Sequence, residues 1–261
     1  MAATFIDRFS DAAEGYRLAR PAYPAALFEA LGSIAPGRDL AWDCGTGNGQ
    51  AAAGLALHFA GVYATDPSPE QIAQAVAREC IAYAVERAED VSLPDRSADL
   101  ILAAQSLHWL DLDAFYAQAR RLLKPGGILA ATGYDWMYVD PAVDRCINDH
   151  LMPPLAPYWA PQNRLLWEGY RSIPFPGEEV RLGAFAIYLD WSFEQVRDYM
   201  LNWSATRALI SAQGQGAMDL ALAELASAWG GEPRRVVMPL HLRVARLGDL
   251  RSPSRESAAL G

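Results

Sequence analysis

The sequence has few cysteines, and they are not spaced as metal ligands or disulfide partners usually are. Its 261 residues include three, Cys44, Cys80 and Cys146. Three is an odd number, and none of them forms the Cys-x-x-Cys pair of a zinc site. The pattern argues against a disulfide framework and predicts no bound metal. Free thiols are typical of a reducing compartment, so we expect the protein in the cytoplasm.

Basic residues are also scarce, with 22 lysines and arginines against 31 aspartates and glutamates and a formal net charge of −9. They do not gather into runs, so no nucleic-acid partner is predicted. No uncharged apolar run approaches membrane-spanning length, and the first eleven residues include Asp7 and Arg8. We therefore expect neither a membrane partner nor an export signal. A monomer and a homodimer both stay open.

The remaining composition is that of an ordinary globular chain, with 52% hydrophobic and 20% charged residues. A length of 261 residues fits one α/β domain. Between residues 39 and 134, short apolar runs alternate with helical patterns, which is typical of βα units on a parallel sheet. The predicted strands are 39–44, 61–66, 81–85, 98–104 and 128–133.

The rest of the chain is less regular. Residues 141–177 are rich in Pro, Trp and Tyr without a sustained period, which indicates an insertion over the ligand-binding edge of the sheet. Residues 181–190 and 234–247 alternate as a late strand pair would. The single domain of 1–261 thus divides into an N-terminal lid and first helix at 1–38, a cofactor-binding core at 39–134, a substrate-side insertion at 135–180, helices with the strand pair at 181–247, and a tail at 248–261. Helices are predicted at 50–60, 69–79, 112–123, 192–210 and 217–229.

A glycine-rich turn follows the first predicted strand and reads Asp43-Cys-Gly45-Thr-Gly47-Asn-Gly49. Glycines at a strand-to-helix junction allow positive φ and let a ligand approach the backbone. The dinucleotide fingerprint Gly-x-Gly-x-x-Gly would need its third glycine at position 50, where this chain has Gln50. The spacing therefore disfavours a nicotinamide site.

Asp66 closes the second predicted strand, 21 residues after Gly45. A carboxylate at this position can accept hydrogen bonds from both hydroxyls of a ribose. Asp66 could instead cap the next helix, but Ser68 already fills that role. Asp66 is therefore a candidate for binding a ligand. Several nucleoside cofactors carry a ribose, so Asp66 supports nucleoside binding without choosing among them.

Further motifs follow at each later strand end: Ala88-Glu89-Asp90 after the third, Gln105-Ser-Leu-His-Trp109 after the fourth, and Leu123-Lys-Pro-Gly-Gly127 before the fifth. In order and spacing, the series from Asp43 onward resembles the class I S-adenosylmethionine-dependent methyltransferases. The resemblance implies an α/β fold with a Rossmann-like, doubly wound sheet of seven strands. The sheet would be mostly parallel with an antiparallel last strand, and helices would cover both faces.

The same resemblance implies that S-adenosylmethionine is the cofactor. Ala88 and Glu89 would contact its adenine, and Ala104 and Gln105 would line its methionine end. The candidate cofactor-binding residues in this part of the chain are Asp43, Gly45, Thr46, Gly47, Asp66, Ala88, Glu89, Ala104 and Gln105.

Two outer stretches resemble the trans-aconitate methyltransferase-type subgroup, which acts on small molecules. The N-terminal stretch contains Phe9-Ser-Asp-Ala-Ala-Glu-Gly-Tyr16 and Arg20-Pro-Ala-Tyr-Pro24. The C-terminal stretch contains Trp203-Ser-Ala-Thr-Arg207 and Met238-Pro-Leu-His-Leu-Arg243. The resemblance implies an aromatic segment that caps the cofactor, which makes Tyr16 and Arg20 candidate cofactor-binding residues.

The acceptor would lie beside the cofactor, against the fourth-strand loop. A carboxylate acceptor is already ionised at neutral pH and needs no general base, but an arginine such as Arg207, Arg171 or Arg243 would hold it. A hydroxyl or amine acceptor would need a base, and His108 is the candidate catalytic residue for that role. The other candidate substrate-binding residues are Trp109, Trp136 and Trp203, with Trp159 and Trp167 as further wall residues.

Two other functions stay open at this level. One is a nicotinamide-dependent oxidoreductase with a variant loop. The other is a protein that binds the adenosyl cofactor without turnover.

Overall fold

The structure is a computed structural model that describes residues 21–247, and its centre is a seven-stranded sheet. The strands are β1 Leu40–Cys44, β2 Gly61–Asp66, β3 Ile81–Val85, β4 Ala98–Ala104, β5 Leu123–Gly133, β6 Glu178–Glu179, β7 Ala186–Trp191, β8 Arg234–Pro239 and β9 His241–Arg246. The order in the seven-stranded sheet is β3-β2-β1-β4-β5-β9-β6. Neighbours among the first five are parallel, β9 is antiparallel to β5, and β6 is antiparallel to β9. This arrangement confirms the predicted fold class.

Helices cover both faces of the sheet, because successive strand residues point to opposite sides. Ala41 and Leu100 pack into one hydrophobic core with the helices Ala25–Ile34 and Gln50–Leu55, while Trp42 and Ile101 pack into another with the helix Leu112–Leu122. Every residue of β4 is buried, as expected for a central parallel strand. The helices are α1 Ala25–Ile34, α2 Gln50–Leu55, α3 Pro69–Ala73, α4 Leu112–Leu122, α5 Pro141–Cys146, α6 Met152–Leu155, α7 Asn163–Trp167, α8 Phe193–Leu201, α9 Ser204–Gln213 and α10 Asp219–Trp229.

A third hydrophobic core lies beyond β5 and joins α5, α6 and α8 to α10 with β7 and β8. Tyr134, directly after β5, belongs to this core. The core therefore attaches where β5 ends, at the same sheet edge as the loops that follow β1 and β4.

The region predicted as an irregular insertion, 141–177, contains several short helical segments instead. They are α5, a π-helical stretch at Ile147–Leu151, α6 and a single 3₁₀ turn at Ala156–Tyr158, which follow one another directly, and then α7. None exceeds six residues. Four prolines within 153–161 interrupt the helical hydrogen bonds, which explains why the sequence shows no sustained period.

The predicted late strand pair is confirmed for β7 and β8, which pair with each other, but the second predicted strand is two strands. The stretch 234–247 divides at Leu240, after Pro239, into two strands that belong to different sheets. β8 pairs with β7 in a separate two-stranded sheet, while β9 pairs with β5 in the main one. Alternation alone does not reveal which partner a strand takes, so the sequence prediction treated 234–247 as one strand.

Several element ends also differ. The helices predicted at 50–60 and 69–79 end at Leu55 and Ala73, and β5 begins at Leu123, five residues early. The predicted cap at Ser68 is confirmed, because its Oγ accepts from Gln71 N–H at 3.1 Å. The predicted tail at 248–261 lies outside the described residues.

Thr65 is expected to stabilise the sheet through a buried hydrogen bond. Its Oγ1 accepts from Trp42 Nε1–H at 2.9 Å, and both side chains are fully buried. Thr65→Val keeps the shape of the side chain but leaves the indole N–H without this acceptor. We expect the free energy of unfolding to fall by about 2 kcal/mol, measured by urea denaturation.

Thr206→Val is the matched control for that substitution. Thr206 is also fully buried, but its Oγ1 has no hydrogen-bond partner within residues 21–247. Replacing an unpaired hydroxyl by a methyl group is expected to leave stability unchanged or slightly raised. Equal losses at the two positions would show that the Trp42 hydrogen bond does not stabilise the fold.

Candidate active site

The predicted glycine turn lies between β1 and α2. Gly45, Gly47 and Gly49 all have positive φ, at 69°, 56° and 87°. A Cβ at Gly45 would lie 2.6 Å from the Cβ of Ser106 and one at Gly49 would collide with the Tyr83 hydroxyl. The turn therefore needs glycine both for its backbone conformation and for its close packing.

Asp43 lies buried beneath this turn. One of its carboxylate oxygens accepts from Thr46 Oγ1 at 2.6 Å. The pKa of Asp43 is raised to about 7, mainly by burial and to a smaller extent by the nearby charge of Asp66, against the lowering effect of the hydrogen bond from Thr46. A cationic group bound beside Asp43 would favour its ionised form.

Asp66 connects the glycine turn to the end of β2. Its Oδ2 accepts from Gly47 N–H and its Oδ1 from Ser68 N–H, both at 2.9 Å. An ionised carboxylate offers about four lone-pair positions, so one group can accept both from backbone N–H donors and from ligand hydroxyls. The predicted ribose-binding residue is thus held in place by the turn that would hold the rest of the ligand.

Ala88 and Glu89 lie in the loop after β3. Ala88 is buried. The Glu89 carboxylate pairs with Arg87 Nε at 3.2 Å and accepts from Asp111 N–H at 3.3 Å. These contacts fix the loop, and the adenine role of the two residues stays a prediction.

Gln105 follows Ala104 at the end of β4 and adopts a left-handed conformation, with φ of 57°. Its backbone N–H donates to Thr132 O at 2.8 Å, and its Nε2 donates to Tyr134 O at 2.9 Å. Gln105 therefore joins the ends of β4 and β5. A non-glycine residue held at positive φ is a common feature of ligand sites.

His108 and Trp109 lie in the short 3₁₀ turn Leu107–Trp109 that follows. The His108 ring is buried, 4.7 Å from the Trp109 ring, and its Nδ1 lies 3.1 Å from the Tyr170 hydroxyl. Tyr170 follows α7 in the chain and was not among the predicted site residues. No motif marks it, and Gly169 before it is the nearest sequence signal.

Four half-buried tryptophans form a cluster at the same edge: Trp136 after β5, Trp159, Trp167 on α7, and Trp203 before α9. Trp136 contacts the other three at ring-centroid distances of 5.6 to 6.0 Å. The sequence prediction of a shared wall grouped these same residues. Their partly exposed indole surface suits an apolar ligand.

The three candidate arginines have different surroundings. Arg243 donates to the backbone oxygens of Tyr170 and Ile173 and pairs with Glu179, so it has a structural role. Arg171 is exposed. Arg207 is half-buried on α9, one helical turn after Trp203, and its backbone N–H donates to the backbone oxygen of Trp203 at 3.1 Å. Arg207 is therefore the candidate that adjoins the tryptophan cluster.

The candidate lid residues Tyr16 and Arg20 lie outside the described residues. Within residues 21–247, no cluster of three or more His, Cys, Asp or Glu side chains is arranged as a metal site would be. In the same part of the chain, no helix combines the length and the apolar character needed to cross a membrane.

Known methyltransferases resemble this chain in sequence. A family model described as a methyltransferase domain matches residues 42–131, which include the glycine turn, Asp66 and Gln105. A Dictyostelium discoideum protein named as a methyltransferase is 32% identical over 212 residues, which are 80% of this chain and 81% of that protein. A Mycobacterium tuberculosis protein named as an uncharacterized methyltransferase is 34% identical over 123 residues, which are 46% of this chain and 49% of that protein.

The resemblance extends to three dimensions. A solved structure from Anaeromyxobacter dehalogenans, described as a type II methyltransferase, is 41% identical to this chain. The match has a TM-score of 0.81 and covers 87% of this chain and 97% of that one. The glycine turn, the sheet order and these relatives agree, so the chain belongs to the methyltransferase family and has its class I, Rossmann-like fold.

Proposed function

We propose that the protein uses S-adenosylmethionine to methylate an oxygen of a small, carboxylate-bearing molecule. The observation that carries the proposal is the direct hydrogen bond between Asp66 and the glycine turn at Gly47. It joins the carboxylate proposed to bind the ribose to a glycine turn with positive φ. The glycines let the turn adopt positive φ and pack closely against Ser106 and Tyr83, and a glycine turn of this kind at the start of a helix suits a nucleoside ligand.

Each part of the predicted site suits one part of the cofactor. Asp66 would accept from the ribose hydroxyls, and the loop of Ala88 and Glu89 would border the adenine. Ala104 and Gln105 would line the methionine end, above Asp43 and Thr46. When bound, S-adenosylmethionine supplies an activated methyl group on a positively charged sulfur. The buried carboxyl of Asp43 is suited to a cation nearby, since a positive charge would offset the cost of ionising it.

The acceptor would bind between the β4 loop and the tryptophan cluster. Trp136 and Trp203 would contact its apolar body, Trp109 would border it, and Arg207 would hold its carboxylate. Methyl transfer needs the acceptor oxygen in line with the methyl group, in a site that excludes water. The indole surfaces contribute the exclusion of water, and Arg207 contributes orientation. A carboxylate oxygen can itself be the nucleophile, as the trans-aconitate-type resemblance suggests.

We further propose that the protein acts in the cytoplasm, as a monomer or homodimer, without a nucleic-acid or membrane partner. Its three cysteines are free, and two of them are buried, which suits a reducing compartment.

The test is a methyl-transfer screen with S-adenosylmethionine labelled in the methyl group, over small organic acids, phenols and amines. Formation of a labelled product together with S-adenosylhomocysteine would support the proposal. Nicotinamide-dependent reduction without adenosylhomocysteine would contradict it in favour of an oxidoreductase. Tight cofactor binding without transfer to any acceptor would indicate a binding protein.

Arg207 is expected to determine the preference for acids. Arg207→Gln removes charged hydrogen bonds worth about 1.5–3 kcal/mol, so KM for a carboxylate acceptor should rise about tenfold or more. The matched control is Arg171→Gln, at an exposed position, which should leave KM unchanged. If both variants kept the parent KM, the acid would be held elsewhere.

A further inference from the structure

A cleft of about 510 Å³, open to solvent, lies beside the tryptophan cluster. Its walls come from the segment after β5, from α5 with the π-helical stretch that follows it, and from the segment before α9. We call it the α5 cleft. A volume of this size suits a small molecule, and π-helical stretches are frequent at functional sites.

Aromatic and thioether side chains form most of the α5 cleft. Trp136 and Trp203 both line it and meet in a T-shaped contact, at a ring-centroid distance of 6.0 Å. Tyr138, Met137 and Met152 also belong to this largely apolar surface. The face of an aromatic ring attracts cations, and tryptophan attracts them most strongly. The surface therefore suits either an apolar group or an organic cation.

An aspartate in the same cleft favours the cation. Asp144 on α5 lines the cleft, and its Oδ1 accepts from Val139 N–H at 2.9 Å, which holds the carboxylate in place. Within residues 21–247, this carboxylate has no other hydrogen-bond partner and no ion pair. Its negative charge thus borders an aromatic surface without a paired cation from the described part of the chain. A cationic ligand would supply the missing partner.

The geometry of Asp144 suits an ammonium group better than a guanidinium. A guanidinium binds a carboxylate best through two parallel hydrogen bonds, one to each oxygen. Here Oδ1 already accepts from the backbone, and a compact ammonium needs only Oδ2. Asn148, on the π-helical stretch, brings a carboxamide to the same cleft, and its oxygen can accept from a second ammonium N–H.

We propose that the α5 cleft binds the ammonium group of the methyl acceptor, so that the acceptor is a small zwitterion with a cationic amine in addition to the carboxylate held by Arg207. The identity of the occupant rests on the proposed function, because Trp136 and Trp203 belong both to this cleft and to the proposed acceptor wall. The preference of the cleft for an ammonium group is tested by binding alone.

A bound ammonium also determines which atom is methylated. An alkyl amine is protonated at neutral pH, and its nitrogen then has no lone pair to attack a methyl group. The contact with Asp144 favours this charged form. A carboxylate oxygen of the same acceptor keeps its lone pairs, and one of them forms the new bond to carbon. The electron pair of the broken sulfur–carbon bond goes to sulfur, so the products are a neutral ester group and a thioether, and no proton is transferred.

The first experiment measures binding to the α5 cleft in the full chain without cofactor. NMR of the six methionines, labelled in the methyl group, reports on the cleft through Met137 and Met152, whose signals Met137→Leu and Met152→Leu assign. n-Butylammonium should shift these two signals, and the uncharged butan-1-ol should bind about tenfold more weakly. Met200 and Met218 are buried in the third hydrophobic core and do not line the cleft, so their signals should not move.

Asp144→Asn tests the carboxylate. It keeps an oxygen for Val139 N–H and removes the charge, so it should weaken n-butylammonium binding about tenfold and leave butan-1-ol binding unchanged. Asp149→Asn is the matched control, because Asp149 is exposed on the neighbouring π-helical stretch and does not line the cleft. The net charge of −9 attracts any cation. Equal weakening by both variants would assign the binding to that general attraction and overturn the proposal.

The second experiment measures methyl transfer to ω-amino acids of three to eight carbons, each compared with the acid that lacks the amino group. For the pair that turns over best, KM should be about tenfold lower for the amino acid. Asp144→Asn should raise that KM about tenfold and leave KM for the plain acid unchanged. The labelled product should be a base-labile methyl ester and not an N-methylamine.

The outcomes separate this inference from the proposed function. If n-butylammonium left Met137 and Met152 unshifted, or bound no more tightly than butan-1-ol, the cleft would not be an ammonium site even if methyl transfer occurs. Charge-dependent binding in the cleft without methyl transfer to any acceptor would support the ammonium site and refute the proposed function alone. Transfer to plain acids with no gain from the amino group would support the proposed function and overturn this inference.

Discussion

Gly45→Ala is expected to lower the free energy of unfolding by about 3 kcal/mol and to abolish measurable cofactor binding. A left-handed conformation costs an L-residue about 1–2 kcal/mol, and Gly45 has φ of 69°. The added Cβ would also meet the Cβ of Ser106 at 2.6 Å. A Cβ atom cannot rotate away from a collision, so the backbone must shift, which typically costs about 1–3 kcal/mol more.

The control is Gly214→Ala, which isolates the cost of conformation. Gly214 also has positive φ, at 91°, but a Cβ there would find nothing within 4 Å. Its ψ of 166° places it in a region that only glycine adopts readily, so the variant should lose about 1–3 kcal/mol in urea denaturation and keep its cofactor affinity. If Gly45→Ala were no less stable than Gly214→Ala and still bound S-adenosylhomocysteine, the close packing of the turn against Ser106 would contribute neither to stability nor to cofactor binding.

The sequence was informative where function and backbone conformation depend on the same residues. The glycine turn could be located because φ above zero and close packing both require glycine, and Asp66 because it ends a strand next to that turn. The parallel sheet then places the loops after β1, β2 and β4 at one edge. Knowledge of the strands was therefore enough to bring Gly45, Asp66 and Gln105 into one predicted site.

The residues on the acceptor side were harder to predict, because they lie in segments whose sequence shows no regular hydrophobic period. Trp136 and Trp203 are far apart in the chain and meet through a separate core of short helices. Tyr170 has no motif, and its contact with His108 depends on a left-handed turn at residues 169 and 170. A tertiary contact of this kind is set by packing rather than by local pattern, and here it requires the folded structure.

The second large effect is expected at Asp66, where Asp66→Ala should weaken binding of S-adenosylhomocysteine about 100-fold or more. The substitution removes the proposed hydrogen bonds to the ribose, which are worth about 1.5–3 kcal/mol each when one partner is charged. It also removes the two backbone contacts at Gly47 and Ser68 that hold the turn. Isothermal titration calorimetry on the folded variant measures the loss.

Asp198→Ala supplies the comparison, because Asp198 is a carboxylate in a surface ion pair with Arg197 on α8. Removing it should leave the affinity unchanged, since exposed pairs contribute little. If Asp66→Ala bound the cofactor as tightly as the parent, the proposed contact between this carboxylate and the ribose would be wrong. If the parent itself gave no heat with S-adenosylmethionine or S-adenosylhomocysteine, the glycine turn would have to serve a purpose other than holding this cofactor.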